Sequence, residues 1–270
     1  MYSTFNKADL LIMNSIKKIA TVALGFAAYS LTDITRAEDE VQDMSDPLAV
    51  YTQAGFGITD KGLNIKIGQT YDTGSDTTMG MNIIELKGVF GESLGFRGSD
   101  EPLYGHVDDS IDSFRFRNFK VDMTNGRGSQ IDANINIDGE TGDVSYSLIQ
   151  ALPKWGPMQL YPLAGLGVSA ANDSDDGFEI PGAFGVLGFY GKFTVTDNIW
   201  INYNPVWLST LAGSNDYEDG HYAGDSNILA HEFAISYQFT PRFNMRYFAN
   251  WNEVVDYGDG DHRLEFNYQL

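Results

Sequence analysis

The last nine residues of the chain, HRLEFNYQL, alternate without a break. Leu264, Phe266, Tyr268 and Leu270 take one parity, and Arg263, Glu265, Asn267 and Gln269 the other. A period of two puts successive side chains on opposite faces of a strand, so this segment has one oily face and one wet face. Two arrangements suit such a strand. Either a second sheet covers the oily face, as in a soluble β-sandwich, or the sheet closes on itself and turns that face toward lipid.

The amino end favours the second arrangement. Lys17 and Lys18 precede an apolar run from Ile19 to Leu31, followed by Thr35, Arg36 and Ala37 and then the acidic Glu38, Asp39 and Glu40. The run is 13 residues long, short of the ~20 that a spanning helix needs. Its basic front and small-residue end fit a cleaved secretory leader. Residues 1–37 are therefore expected to be a signal peptide, with translation starting at Met13. Residues 38–48 are expected to be a short periplasmic segment, and 49–270 the folded domain. Removing Lys7, Lys17, Lys18, Arg36, Asp9 and Asp33 with the leader takes the 17 basic and 37 acidic residues to 13 and 35, a net charge near −22. Such a surface repels nucleic acid, whose affinity comes from Lys and Arg. No later apolar stretch approaches ~18 residues, so the domain is expected to hold no membrane helix.

Between these ends, short segments of alternating character are separated by Gly, Asp, Asn and Pro clusters. They run over Ala49–Ile58, Leu63–Tyr71, Gly80–Phe90, Ile111–Met123, Ser129–Ile137, Asp143–Leu152, Gln159–Ala170, Gly182–Val195, Asn198–Leu208, Asn227–Phe239, Phe243–Trp251 and His262–Leu270, twelve in all. Strands of ~9–11 tilted residues suffice to cross a bilayer. The leader, the repeated amphipathic strands, the absence of Cys and the amphipathic final strand together resemble a Gram-negative outer-membrane β-barrel of the porin-like superfamily. That resemblance implies an all-β fold, a closed antiparallel transmembrane β-barrel. Twelve strands are expected, with ten or fourteen compatible, because bacterial single-chain barrels use even numbers. It also implies contact with outer-membrane lipid and lipopolysaccharide, and recognition of the last strand by the barrel-assembly machinery. Members usually end on Phe or Trp, whereas this chain ends on Leu270.

Barrels of this kind have short periplasmic turns and longer outer loops. Thr240–Arg242, Thr196–Asp197, Pro153–Met158 and Thr124–Gly128 fit the first, and Asn252–Asp261, Ser209–Ser226, Ala171–Pro181 and Gly91–Ser110 the second. Two features break the ladder. Pro162 and Pro205 fall inside strands, where bulges or earlier strand ends are expected because Pro cannot donate to a sheet. In the strand from Ile111, Phe114 and Phe116 take one parity and Phe119, Val121 and Met123 the other, so a bulge near Asn118 is expected to restore one outward face.

The inward rows then gather Lys66, Arg115, Arg117, Lys120, Arg246 and Arg263 against Asp122, Asp132, Glu232 and Glu265. These residues serve either a pore for hydrophilic, anionic or sugar-like solutes or a closed cylinder in which the charges pair. Twelve strands lie between the packed interior of eight and the open channel of sixteen. The leading expectation is a small passive channel. The alternative is a closed structural barrel presenting acidic loops to divalent cations, lipopolysaccharide or other cells. A lipid-modifying enzyme is the remaining class, and it would need a Ser activated by His. His106, His221, His231 and His262 sit in no His-x-Ser pair, so no catalytic residue or cofactor is expected. NDSDDG, at 172–177, lacks the register and closing Glu of a calcium loop, and Asp256, Asp259 and Asp261 form a similar acidic tip. No metal site is expected at either.

Overall fold

The computed structural model of the protein describes residues 41–59, 62–91, 113–137, 140–173 and 177–270. The expected leader, the start at Met13, residues 38–40, most of the Gly91–Ser110 connection with His106, and the centre of the NDSDDG run lie outside the described residues.

Twelve strands follow in order: β1 (Gln53–Thr59), β2 (Leu63–Asp72), β3 (Thr78–Val89), β4 (Ser113–Asp122), β5 (Arg127–Asn136), β6 (Thr141–Gln150), β7 (Met158–Asp173), β8 (Gly177–Thr194), β9 (Ile199–Gly213), β10 (Asn227–Thr240), β11 (Phe243–Asn252) and β12 (Asp261–Gln269). Each pairs antiparallel with its sequence neighbours, and β1 closes on β12 from Gln53↔Gln269 to Thr59↔Arg263. The sheet is a closed barrel with no edge. Closure satisfies every ladder from within, which is what hydrocarbon surroundings demand of a backbone.

The two faces follow the alternation in the sequence. In β12, Arg263, Glu265, Asn267 and Gln269 are buried inside, while Leu264, Tyr268 and the final Leu270 are exposed outside. The same outward row continues in Phe56, Ile58, Ile65, Ile67, Val144, Leu148, Leu166, Leu187 and Ile235. Outward aromatic residues gather toward both ends, at the near end in Tyr237, Phe239, Phe243 and Phe266 and at the far end around His231. The Tyr203 hydroxyl lies 2.8 Å from His231 Nδ1, and the His231 ring stacks on Trp251 with centroids 5.0 Å apart. An imidazole in an aromatic cluster at the rim of the apolar band matches the girdles of this architecture.

Both termini of the sheet lie at one end, here called the near end, together with the turns at 73–77, 123–126, 151–157, 195–198 and 241–242. The far-end connections differ from expectation. β7, β8 and β9 run to 16, 18 and 15 residues, so most of the expected Ala171–Pro181 loop, and the start of Ser209–Ser226, are strand. Pairing holds out to Asp173↔Gly177 with one register shift between Ser169 and Ala171.

Neither proline carries the expected bulge. Pro162 pairs with Phe189 on β8 without a shift, and on its other side the β6 ladder has already ended at Ile149↔Leu163, so the missing N–H breaks no bond. At Pro205 the β8–β9 ladder is interrupted between Gly188↔Val206 and Gly191↔Tyr203 and resumes in the same register. Side chains bridge the gap: Gly191 N donates to Asn204 Oδ1 at 3.2 Å, and Asn202 Nδ2 donates to the Gly191 carbonyl at 3.2 Å.

β4 has no bulge either. Its register runs unbroken from Thr78↔Asp122 to Lys87↔Ser113 on β3 and from Ser113↔Asn136 to Asp122↔Arg127 on β5. Parity is therefore kept, with Arg115, Arg117, Phe119 and Val121 pointing inward. Phe119 and Val121 are inside because something apolar meets them there. Residues 41–52, of which 41–48 were expected in the periplasmic segment and 49–52 in the first strand, fold into the near end of the barrel ahead of β1. Leu48 and Val50 pack against Met81, Ile83, Phe119, Val121, Ile149, Tyr161 and Leu163.

Candidate functional site

The lumen is lined by ion pairs and amides brought together by strands distant in sequence. Lys66 Nζ donates to Glu265 Oε1 at 2.5 Å, Asn64 Nδ2 donates to Glu265 Oε2 at 3.2 Å, and Arg263 Nε lies 3.6 Å from the same oxygen. Arg115 grips Asp132 with two bonds, Nε to Oδ1 at 2.9 Å and Nη2 to Oδ2 at 2.6 Å, the bidentate geometry that makes Arg a strong carboxylate partner. Arg117 Nη2 donates to Glu85 Oε1, and Lys87 Nζ lies 3.9 Å from Glu85 Oε2. Arg246 differs from these cations. Its hydrogen bonds go to neutral groups, Ser236 Oγ at 3.1 Å and Asn202 Oδ1 at 2.8 Å. Its guanidinium sits 4.6 Å from the centre of the Phe248 ring, and Arg263 approaches the same ring at 4.4 Å, a cation–π arrangement that holds two like charges beside one aromatic.

Two cavities occupy the lumen, one of about 250 Å³ toward the far end and one of about 170 Å³ toward the near end. Arg115, Tyr190, Asn204, Glu232 and Arg263 line both and form a waist between them. On one side of the waist the Tyr190 hydroxyl donates to Gln130 Oε1 at 2.9 Å, and Gln130 Nε2 donates to Asp132 Oδ2 at 2.9 Å, so the Arg115–Asp132 pair is fixed from behind. On the other, Asn204 Nδ2 donates to Glu232 Oε1 at 2.7 Å.

Each end of the lumen is partly filled by the chain itself. At the near end, Met44, Ser45, Asp46, Pro47, Ala49 and Tyr51 form the floor of the smaller cavity. At the far end a short helix, α1 (Asn215–Gly220), is capped by Ser214, whose hydroxyl accepts from Tyr217 N at 3.2 Å. α1 directs Tyr217 inward, where its hydroxyl lies 2.9 Å from Ser169 Oγ. His221 Nε2 lies 3.4 Å from that same oxygen, with its ring between Tyr217 and Tyr222 at centroid distances of 4.2 and 4.6 Å. Ser169 donates to Asp143 Oδ1 at 2.5 Å and is 2% exposed. This buried hydroxyl, donating to Asp143 and contacted by Tyr217 and His221, ties the 214–226 connection to β6 and β7. Burial pushes the Tyr217 hydroxyl up from its ordinary value, which keeps it a donor.

Of the residues singled out from the sequence, Lys66, Arg115, Arg117, Asp132, Glu232, Arg246, Arg263 and Glu265 face the lumen. Lys120 and Asp122 do not. With no bulge in β4, Lys120 is exposed on the outer wall at the near end, and Asp122 shapes the β4–β5 turn. Its Oδ1 accepts from Thr124 N at 2.9 Å, and its backbone carbonyl accepts from Gly126 N at 2.9 Å. Gly126 has φ of +66°, which suits glycine at that turn. Sequence reading passed over Glu85, Lys87, Asp143 and Lys192. For Glu85 and Lys87 the signal was present but obscured, because Met81 and Ile83 occupy the same inward row of β3 and make it look lipid-facing.

No known protein family matches the sequence, and no curated protein does. Solved structures do match. The NanC porin aligns with a TM-score of 0.51 at 7% identity, over 81% of this chain and 100% of its own. An outer membrane channel from Pseudomonas putida F1 aligns with a TM-score of 0.52 at 8% identity, over 87% of this chain and 100% of its own. The fold is that of the outer-membrane porins. At these identities the likeness extends to the barrel and its closure, and the lumen has to be understood from its own residues.

Proposed function

We propose that the protein resides in the outer membrane of a Gram-negative bacterium as a small passive channel for hydrophilic solutes, with anionic or sugar-like solutes favoured. The observation that carries this reading is the open space in the lumen, a near cavity lined largely by ion pairs and amides and a far cavity that shares Arg115, Tyr190, Asn204, Glu232 and Arg263 with it. A structural cylinder has no need of such space, since eight strands already suffice to hold a filled interior. Asn202, Asn204, Asn244 and Asn267 offer both donors and acceptors to solute hydroxyls. Arg246, held by neutral partners, adds a positive charge that a passing carboxylate or phosphate can meet. Planar-bilayer recordings of the purified barrel test the reading. Stepwise conductance with anions preferred over cations, and a weaker preference in Arg246→Gln, is the expected result.

One observation favours a second reading. Chain segments fill both ends of the lumen, and most inward charges are paired, as in a closed barrel that acts through its surface. In that case the acidic far-end residues, Asp216, Glu218, Asp219, Glu253 and Asp256 among them, would meet divalent cations, lipopolysaccharide or another cell. Complete absence of conductance, with residues 41–50 present or removed, would favour this second reading.

A further inference from the structure

We propose that residues 41–52 form a displaceable plug, an autoinhibitory segment of this chain that closes the near mouth of the lumen until it withdraws. The proposal rests on the channel reading and concerns the regulation of that same lumen.

Three observations support it. First, the segment lies inside the barrel without joining its sheet. Its backbone bonds close locally: Asp46 N donates to the Asp43 carbonyl at 3.0 Å and Ala49 N to the Asp46 carbonyl at 3.1 Å. Side-chain caps complete these turns, with Ser45 N donating to Asp43 Oδ1 at 2.9 Å and Leu48 N to Asp46 Oδ1 at 2.9 Å. The first tie to the ladder is at Thr52, whose carbonyl accepts from Leu270 N at 3.0 Å. Everything before Thr52 can leave without opening a strand pair.

Second, the contacts that hold the segment are spread around the wall. Leu48 and Val50 enter the apolar patch of β3, β4, β6 and β7. Asp43 accepts from Lys192 Nζ on β8 at 2.9 Å. The Met44 sulfur receives Gln238 Nε2 at 3.3 Å and Asn244 Nδ2 at 3.6 Å, from β10 and β11. A segment anchored on opposite sides of a barrel spans its opening.

Third, the wall is built to receive it. Met81, Ile83, Phe119, Val121, Ile149 and Leu163 put an apolar patch on the near-end wall, beside a cavity otherwise lined largely by ion pairs and amides. Such a patch serves no hydrophilic solute. It serves Leu48 and Val50, and once uncovered it would be a short apolar step that water and solutes still pass.

The test combines two measurements. Conductance is compared between the full chain and a variant lacking residues 41–50. In parallel, Val50→Cys, a near-isosteric change in a chain with no other Cys, reports exposure of the plug through its rate of modification by a charged thiol reagent. Lys192→Asp breaks the tie to Asp43. That tie is partly exposed, so an effect of about 1.5- to 5-fold on the labelling rate is expected, and Asp43→Lys together with Lys192→Asp should return the rate to that of the parent. The expected outcome is larger and steadier conductance in the deletion variant, with labelling that follows the charge pair. Equal, non-zero conductance with and without residues 41–50, or labelling indifferent to Lys192 in a conducting protein, overturns the plug and leaves the channel reading standing. Absent conductance in both proteins, with labelling that still rises in Lys192→Asp, upholds a releasable segment and removes the channel.

Discussion

Replacing Glu265 with Gln removes a negative charge that Lys66 and Arg263 share inside the barrel. The side chains of Glu265, Lys66 and Arg263 are 2%, 9% and 6% exposed, so the two cations would be left with little water to compensate them. Breaking a buried pair from one side costs about 3–5 kcal/mol. The near cavity reaches Lys66, which favours the lower end of that range. Lys66→Met should cost less, about 2 kcal/mol, because Glu265 keeps Arg263 and Asn64 and loses a single charged hydrogen bond. The double variant should lose less than the two single losses combined, by about 1–3 kcal/mol, since neither partner is then stranded. Urea unfolding of the barrel in lipid vesicles, followed by tryptophan fluorescence, measures all three. A Glu265→Gln loss below about 1 kcal/mol, or strict additivity in the double variant, would refute the view that these charges are compensated mainly by one another.

Three further outcomes are expected. Burial pushes the Asp43 carboxyl up, but hydrogen bonds from Ser45 and Lys192 outweigh it and hold the group below its ordinary 3.8. Its contribution to plug closure is therefore fully present above about pH 4 and lost as pH falls through the depressed value. The Val50→Cys labelling rate, divided by that of a free thiol at the same pH because only the thiolate reacts, should stay flat from pH 7 to about 5 and rise only below about 4, whereas a rise near pH 6 would point to another group. In single-tryptophan variants, brominated lipid should quench Trp207 and Trp251 on the outer wall and spare Trp200, which is 3% exposed inside; quenching of Trp200 would invert the facing. A Cβ on Gly182 would stand 2.1 Å from Cδ1 of the Tyr217 ring, so Gly182→Ala should expel Tyr217 from the far mouth at a cost of about 1–3 kcal/mol. A broad-specificity protease should then cut within 214–226, and unchanged resistance would count against that packing.

Most of the barrel could be read from the chain because period-two patterning records which face meets lipid. β10 and β12 show this directly, with Ile235, Tyr237, Leu264 and Tyr268 outside and Ser236, Glu265 and Asn267 inside. Closure followed from a final strand that needed a partner, found in β1. The reading failed where the lumen is apolar. Phe119 and Val121 looked like lipid-facing residues displaced by a bulge, yet they face Leu48 and Val50. Their parity was right, and the assumption of a uniformly wet interior was wrong. The phase change in β4 was itself the trace of the plug. The same cause hid Glu85 and Lys87 behind Met81 and Ile83, and it placed Lys120 and Asp122 in the lumen when they lie outside it and in a turn. The prolines were misjudged for a different reason: a missing N–H costs nothing where the neighbouring ladder has ended, as at Pro162, or where asparagine side chains replace it, as at Pro205.

The central claim, a polar path through a barrel of porin fold, is tested most directly by the reversal potential across a planar bilayer holding the variant without residues 41–50 in a salt gradient. The account predicts ohmic single-channel steps and a reversal potential displaced toward the chloride equilibrium value, with the displacement reduced by Arg246→Gln. A variant freed of its plug that folds, inserts and passes no current would contradict it.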